Sequence, residues 1–258
     1  YSSKGKRLVF VAVEHISSAK YPNLQEHPTL KTINDLFRSM KPELSLIEGI
    51  QTGSELNPRS ILPQAENCKQ AAYLGDCGES SFVINKALET KTAFLSGEPT
   101  DQEVVKVVTQ HGYETKDLVA FYLVRKIPQW KRQGSLKNDV LDKLAIEQLE
   151  RYRKRIDPTL IFSFEDFKRW YAKNMPKPQH YAEIENDDPA PHGGPDATFV
   201  QKISNLVNLA RDVTLLGRIE ESLARFDRVL VVYGGSHYID LEPSLMKTIG
   251  PPELKKLY

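Results

Sequence analysis

The stretch LVFVAV at residues 8–13 is an unbroken run of apolar residues, and Glu14 and His15 follow it directly. A run of this length without polar alternation is typical of a strand that is buried on both faces, as in a parallel sheet covered by helices. Pro28 then opens an amphipathic segment that stops at Lys41-Pro42, and a second apolar run occupies residues 44–47. The order predicts a β-α-β unit with a right-handed crossover.

The rest of the chain extends this pattern. Further strands are predicted at 91–95 and 229–233, and helices are predicted at 64–74, 103–110, 118–126, 136–156, 199–223 and 241–249, while residues 82–88 fit either structure. The long helix after the loop begins from Asp196 or Thr198 as its cap. We therefore predict an α/β fold with a mainly parallel central sheet covered by helices. It carries a helical cap lobe at about 115–172 and a long loop rich in Pro, Gly and acidic residues at about 173–198. We expect one α/β domain over 1–258, with the helical segment as an insertion.

Composition excludes several classes of protein. Lys and Arg total 35 against 34 for Asp and Glu, so the net charge of +1 gives no field that would recruit nucleic acid. The longest apolar runs fall far short of the ~20 residues that cross a bilayer, so we expect a soluble protein without a transmembrane segment. These features favour a small-molecule or peptide substrate, and they do not indicate an oligomeric state.

The two cysteines, Cys68 and Cys77, flank an eight-residue loop, a spacing that allows a disulfide without requiring one. The first residue is Tyr1, and the missing initiator Met suggests export to the periplasm or the medium. No CxxC pair is present, which argues against a structural zinc site built on thiolates.

A side chain of a metal-ligating type follows each of the four apolar strands. These residues are His15, Glu48, Glu98 and His237. The carboxyl ends of parallel strands line the crevice where open α/β sheets bind ligands, so we expect these residues to converge there. Two imidazoles and two carboxylates suit one divalent ion of Mn, Zn, Fe or Co, which would acidify a bound water molecule.

Each of these residues also has a purely structural explanation. A histidine can end a strand or occupy a turn, and a glutamate can cap the helix that follows it. Arg211 on the long helix could clamp an oxyanion or orient a carboxylate, or it could form a structural ion pair with its neighbour Asp212. The repeated placement at strand ends favours a shared site over separate structural roles.

These residues resemble a known group of proteins. His15, the LIEG segment at 46–49, the LSGE segment at 95–98, Arg211 and the YGGSH segment at 233–237 are similar, in order and context, to the motifs of the Tiki, TraB, erythromycin-esterase and ChaN-like superfamily. The resemblance covers nearly the whole chain, although Ala12 stands where the first motif usually has glycine. It implies site residues at His15, Glu48, Glu98, Arg211 and His237. Members of the group include metal-dependent proteases, metal-independent esterases and a haem-binding lipoprotein, so membership does not fix a function.

Our first hypothesis is a metal-dependent hydrolase that activates water against an ester or peptide bond. A metal-free alternative keeps the same residues and uses His15 as the general base, oriented by Glu48 or Glu98. A second alternative is a haem-binding or iron-binding protein without turnover. A third is a degenerate relative with a structural role.

Overall fold

The computed structural model of the chain describes residues 1–3, 5–14, 26–66, 68, 77–132, 140–175 and 177–253. Residues 1–100 together with 211–258 form one compact unit, here called the sheet unit, and residues 101–210 form a second, the helical unit. The predicted arrangement of one domain over 1–258 with an insertion at 115–172 stays a prediction.

A parallel sheet forms the centre of the sheet unit, which confirms the predicted fold class. The strand order is β1-β2-β5-β3-β4, where β2 to β5 run parallel and the two-residue β1 pairs antiparallel with β2 at the edge. The strands are β1 (Ser2–Ser3), β2 (Lys6–Val13), β3 (Leu44–Ile47), β4 (Ala93–Ser96) and β5 (Arg228–Gly234). β5 lies between β2 and β3, so the last strand of the chain occupies the middle of the sheet.

Helices cover both faces of this sheet, as unbroken apolar strands require. One face packs against α1 (Pro28–Ser39) and α3 (Glu79–Thr90), through Ile33, Phe82 and their neighbours. The other face packs against the second half of α8 (Phe199–Arg225) and against α9 (Gly235–Thr248). Because side chains alternate along a strand, Val229, Val231 and Tyr233 of β5 all point toward α8 and α9.

Three details of the sequence prediction change in the sheet unit. The ambiguous residues 82–88 are helical and lie within α3. The helix predicted at 64–74 is described only as the short α2 (Leu62–Glu66), and most of its predicted range lies outside the described residues. The final helix begins at Gly235 and not near Leu241, so His237 occupies its first turn.

The helical unit has a core of its own. It contains α4 (Asp101–Gln110), α5 (Thr115–Arg132), α6 (Leu141–Ile156), α7 (Phe164–Asn174) and the first half of α8. α5, α6 and α7 therefore occupy most of the described part of the predicted 115–172 segment. The predicted 173–198 loop begins two residues later than expected, because α7 ends at Asn174, and among its described residues there is one short 3-10 helix at Tyr181–Glu183. Thr198, one of the two predicted caps, accepts a hydrogen bond from the Gln201 backbone N–H.

No helix within the described ranges is long and apolar enough to cross a membrane.

Candidate active site

Four of the five predicted site residues lie together at the carboxyl edge of the sheet. Glu48 directly follows β3, Glu98 lies two residues beyond β4, and His237 is the third residue of the helix that follows β5. Arg211, in the middle of α8, contacts both glutamates. The fifth, His15, lies outside the described residues, so its place in the site stays a prediction.

Arg211 joins the two glutamates through three charge-assisted hydrogen bonds. Its Nε donates to Glu98 Oε2 at 2.9 Å, and its Nη2 donates to Glu98 Oε1 at 2.7 Å and to Glu48 Oε1 at 2.6 Å. The side chains of Arg211, Glu48 and Glu98 are only 11%, 8% and 7% exposed. Buried charges of this kind are tolerated when they are paired and hydrogen-bonded, as these are. The remaining guanidinium nitrogen, Nη1, makes no hydrogen bond to a described residue.

The carboxylate of Glu98 is surrounded by donors. Besides Arg211, it accepts a hydrogen bond at Oε1 from the Gly49 N–H at 2.9 Å and another from the Tyr233 hydroxyl at 2.7 Å. Burial alone would raise the pKa of Glu98, but these donors and the cation of Arg211 together lower that pKa to about 2. Glu98 is therefore ionised at neutral pH, and its lone pairs are already engaged by the protein.

Glu98 in turn shifts the pKa values of its partners Arg211 and Tyr233. Burial by itself would lower the pKa of Arg211, but the hydrogen bonds and charge of Glu98 raise it above its ordinary value. Burial, reinforced by the negative charge of Glu98, raises the pKa of Tyr233 well above 10, so its hydroxyl stays a neutral donor. The network therefore combines the ionised carboxylate of Glu98, the cation of Arg211 and the neutral hydroxyl of Tyr233.

Hydrogen bonds from Gly234 and Ser80 hold Glu48 in place. Its Oε2 accepts a hydrogen bond at 2.5 Å from the Gly234 N–H, at the end of the neighbouring strand β5. Its own carbonyl accepts one at 2.8 Å from the hydroxyl of Ser80 in α3. The next residue has a φ of +82°, a conformation that suits glycine, and this turn directs the Gly49 N–H toward Glu98. The LIEG segment therefore supplies both a carboxylate and a donor to the site.

His237 forms a hydrogen bond with Asp212, for which the sequence suggested Arg211 as the partner. Its Nδ1 lies 2.6 Å from Asp212 Oδ1, and its Nε2 lies 3.9 Å from Glu48 Oε1 without a hydrogen bond to any described residue. The alternative of an Arg211–Asp212 ion pair is wrong, because Arg211 pairs with the glutamates and Asp212 with His237. Neighbouring helical residues point about 100° apart, so one turn of α8 can supply two separate contacts.

Tyr233 is a site residue that the sequence analysis missed. Its fully buried ring contacts that of His237 edge-on, with centroids 5.1 Å apart at 82°, and lies under the guanidinium of Arg211 at 5.6 Å. Space for this ring depends on Gly97, where an added Cβ would come 2.6 Å from Tyr233 Cε2. The sequence offered one indication of its position: side chains alternate between the two faces of β5, which places residue 233 on the face that α8 and α9 cover.

An open cavity of about 450 Å³ lies at the same edge of the sheet. The ends of β2 and β5 and the first turn of α9 line it, through Ala12, Val13, Glu14, Gly234, Gly235 and Ser236. Because Gly234 also binds Glu48, the cavity adjoins the network of buried charges.

A metal ion does not fit the described members of the predicted ligand set. Glu98 has both oxygens engaged, and the cation of Arg211 lies against both carboxylates, where it would repel a divalent ion. The described residues contain no group of three or more His, Cys, Asp or Glu side chains arranged to hold a metal. The set of His15, Glu48, Glu98 and His237 as ligands to Mn, Zn, Fe or Co therefore stays a prediction that depends on His15.

The two cysteines are joined in a disulfide, which the sequence had left open. Both Cys68 and Cys77 are buried in the core between the sheet, α1 and α3.

Comparison with known proteins gives no relative for this chain: no protein-family model matches it, and neither does a curated protein or a solved structure. The similarity to the Tiki, TraB, erythromycin-esterase and ChaN-like superfamily therefore stays a prediction, based on the residues quoted above.

Proposed function

We propose that this protein is a hydrolase in which His237 acts as general base toward water, and Arg211 stabilises the oxyanion formed from an ester or peptide carbonyl. The observation that carries the proposal is the pairing of His237 Nδ1 with Asp212 at 2.6 Å, while Nε2 is left without a hydrogen bond to a described residue. Of the hypotheses raised by the sequence, the metal-free hydrolase agrees best with this geometry, with His237 in the role first given to His15.

The Asp212 carboxylate selects the tautomer that a general base requires. An ionised carboxylate only accepts hydrogen bonds, so Nδ1 of His237 carries the proton and Nε2 carries the lone pair. A carboxylate in this position also fixes the orientation of the ring and stabilises the imidazolium that forms during the reaction. Glu48 Oε1, 3.9 Å from Nε2, adds a second negative charge beside that imidazolium.

The reaction would proceed through one tetrahedral intermediate. The oxygen of water attacks the carbonyl carbon while its proton passes to His237 Nε2, and the carbonyl oxygen becomes an oxyanion that accepts hydrogen bonds from Arg211 Nη1. The imidazolium then returns the proton to the leaving alkoxide or amine as the C–O or C–N bond breaks. The products are a carboxylic acid and an alcohol or amine, and no redox partner is needed.

Glu98 has a supporting role in this scheme. Its two oxygens hold Nε and Nη2 of Arg211, which leaves Nη1 for the substrate. A carboxylate with a pKa of about 2 keeps this orientation throughout the neutral pH range.

Hydrolysis of simple probes tests the proposal. The wild-type protein is assayed after dialysis against EDTA, with p-nitrophenyl acetate and p-nitrophenyl butyrate as esters and fluorescein-labelled casein as the peptide substrate. We expect turnover of at least one probe, a loss of about 10²-fold to 10⁴-fold in His237→Gln, and a smaller loss in Asp212→Asn. Gly217→Ala on α8, where an added methyl group meets open space, is the matched control and keeps full activity. Equal rates in wild type and His237→Gln would contradict the proposal.

The same preparation tests the remaining hypotheses. About one equivalent of Mn, Zn, Fe or Co in the untreated protein, with activity lost on chelation, would replace the metal-free scheme with the metal-dependent one. A stoichiometric change in visible absorbance on haem titration would instead favour the haem-binding alternative.

A further inference from the structure

We infer that Tyr233 is a positioning residue of this site: its ring orients His237, and its hydroxyl separately anchors Glu98. The inference rests on the proposed function for its kinetic consequence, but the positioning itself is measurable without turnover. Tyr233 contacts Glu98, His237 and Arg211 and is 0% exposed, so it does not meet solvent and is not assigned to the substrate.

The ring and the hydroxyl of Tyr233 have different partners. The hydroxyl donates at 2.7 Å to Glu98 Oε1, the oxygen that also forms an ion pair with Arg211. The ring contacts edge-on the imidazole of His237, which is itself paired with Asp212, and the two ring centroids are 5.1 Å apart. Edge-to-face packing restrains the rotation of the imidazole, which among the described residues is hydrogen-bonded at Nδ1 alone.

Gly97, the residue that follows β4, leaves room for the ring of Tyr233. Tyr233 packs in the core between the sheet, α8 and α9, and the absence of a side chain at Gly97 admits its edge. A Cβ at position 97 would lie 2.6 Å from Tyr233 Cε2 and 3.0 Å from Leu215 Cδ1, closer than carbon atoms approach without displacement. The LSGE segment therefore places Glu98 and, through its glycine, also admits the ring that orients His237.

Two substitutions at position 233 separate the two contacts. Tyr233→Phe keeps the ring and removes the hydroxyl, so His237 should keep its Nδ1–H tautomer, while kcat for p-nitrophenyl acetate should fall about threefold because Glu98, which holds Arg211, loses one of its anchors. Tyr233→Leu removes the ring contact as well. The tautomer should then become mixed and kcat should fall about tenfold or more, with KM nearly unchanged.

The tautomer is measured by two-bond ¹H–¹⁵N correlation spectra of the histidine side chains, and the ring shift of His237 is assigned with His237→Gln. A Tyr233→Leu protein with wild-type imidazole shifts and wild-type kcat would overturn the inference. If that variant does not fold, Gly97→Ala replaces it, since the added methyl group must displace the ring, and unchanged imidazole shifts there would overturn the inference equally. If the wild type hydrolyses no probe, the imidazole shifts alone decide the positioning role, and only the proposed function fails.

Discussion

Replacement of Arg211 by methionine should destabilise the fold severely, because it leaves the carboxylates of Glu48 and Glu98 buried without their cation. Three hydrogen bonds of 2.6 to 2.9 Å are lost, from side chains that are at most 11% exposed. Removing one partner of a buried ion pair costs about 3–5 kcal/mol in the free energy of unfolding. The pKa of Glu98 gives a similar figure, since a decrease from 4.5 to about 2 corresponds to about 3 kcal/mol.

The loss of stability in Arg211→Met should depend on pH. The folded-state pKa of Glu98 lies below its unfolded value of 4.5, so the stabilisation is complete above about pH 4.5 and is lost as the pH falls toward 2. Arg211→Met should therefore be about 3–5 kcal/mol less stable than wild type at pH 7, and the difference should shrink at pH 3.

Urea unfolding followed by circular dichroism at the two pH values measures these differences. Arg225→Gln is the matched control, an exposed arginine on the same helix, and its cost should stay within about 0.5 kcal/mol. Neutralising both carboxylates in the triple variant Arg211→Met, Glu48→Gln, Glu98→Gln should restore part of the lost stability. A cost below about 1 kcal/mol for Arg211→Met at pH 7, or a cost that does not change with pH, would refute the reasoning.

Two further predictions concern stability. The disulfide can be removed by reduction or in the double variant Cys68→Ala/Cys77→Ala. Either change should lower the free energy of unfolding by about 3 kcal/mol, as expected for a cross-link between residues 9 apart in sequence. Identical urea midpoints for the oxidised and reduced protein would contradict this. Gly97→Ala should lower the free energy of unfolding by about 1–3 kcal/mol because its methyl group clashes with Tyr233, whereas Gly217→Ala should be neutral or slightly stabilising. Thermal unfolding of the two variants checks this, and a lower melting temperature for Gly217→Ala than for Gly97→Ala would contradict it.

The sequence predicts the sheet well because its strands are short apolar runs that end in recognisable polar residues. Glu48 and Glu98 were found because parallel strands bring their carboxyl ends to one edge. The start of α9 was missed, since Gly234-Gly235 reads as a turn and Pro243 lies inside the helix. The position of His237 in a helical turn followed only from the structure.

The partners within the site were harder to predict than its members. Arg211 and Asp212 are adjacent in sequence, which suggested that they pair with each other, yet their helical directions send them to different strand ends. Tyr233 reads as an ordinary core residue of β5, and only tertiary packing shows that its hydroxyl faces Glu98. Periodicity reports which face a side chain occupies, but hydrogen-bond pairing depends on distances that no local pattern contains.

The value of kcat/KM for p-nitrophenyl acetate, measured at neutral pH for wild type, His237→Gln and the Gly217→Ala control, tests the central claim most directly. If His237 is the general base, His237→Gln loses about 10²-fold to 10⁴-fold in kcat/KM, while Gly217→Ala keeps the wild-type value. A His237→Gln protein with the wild-type kcat/KM would show that His237 is not the base.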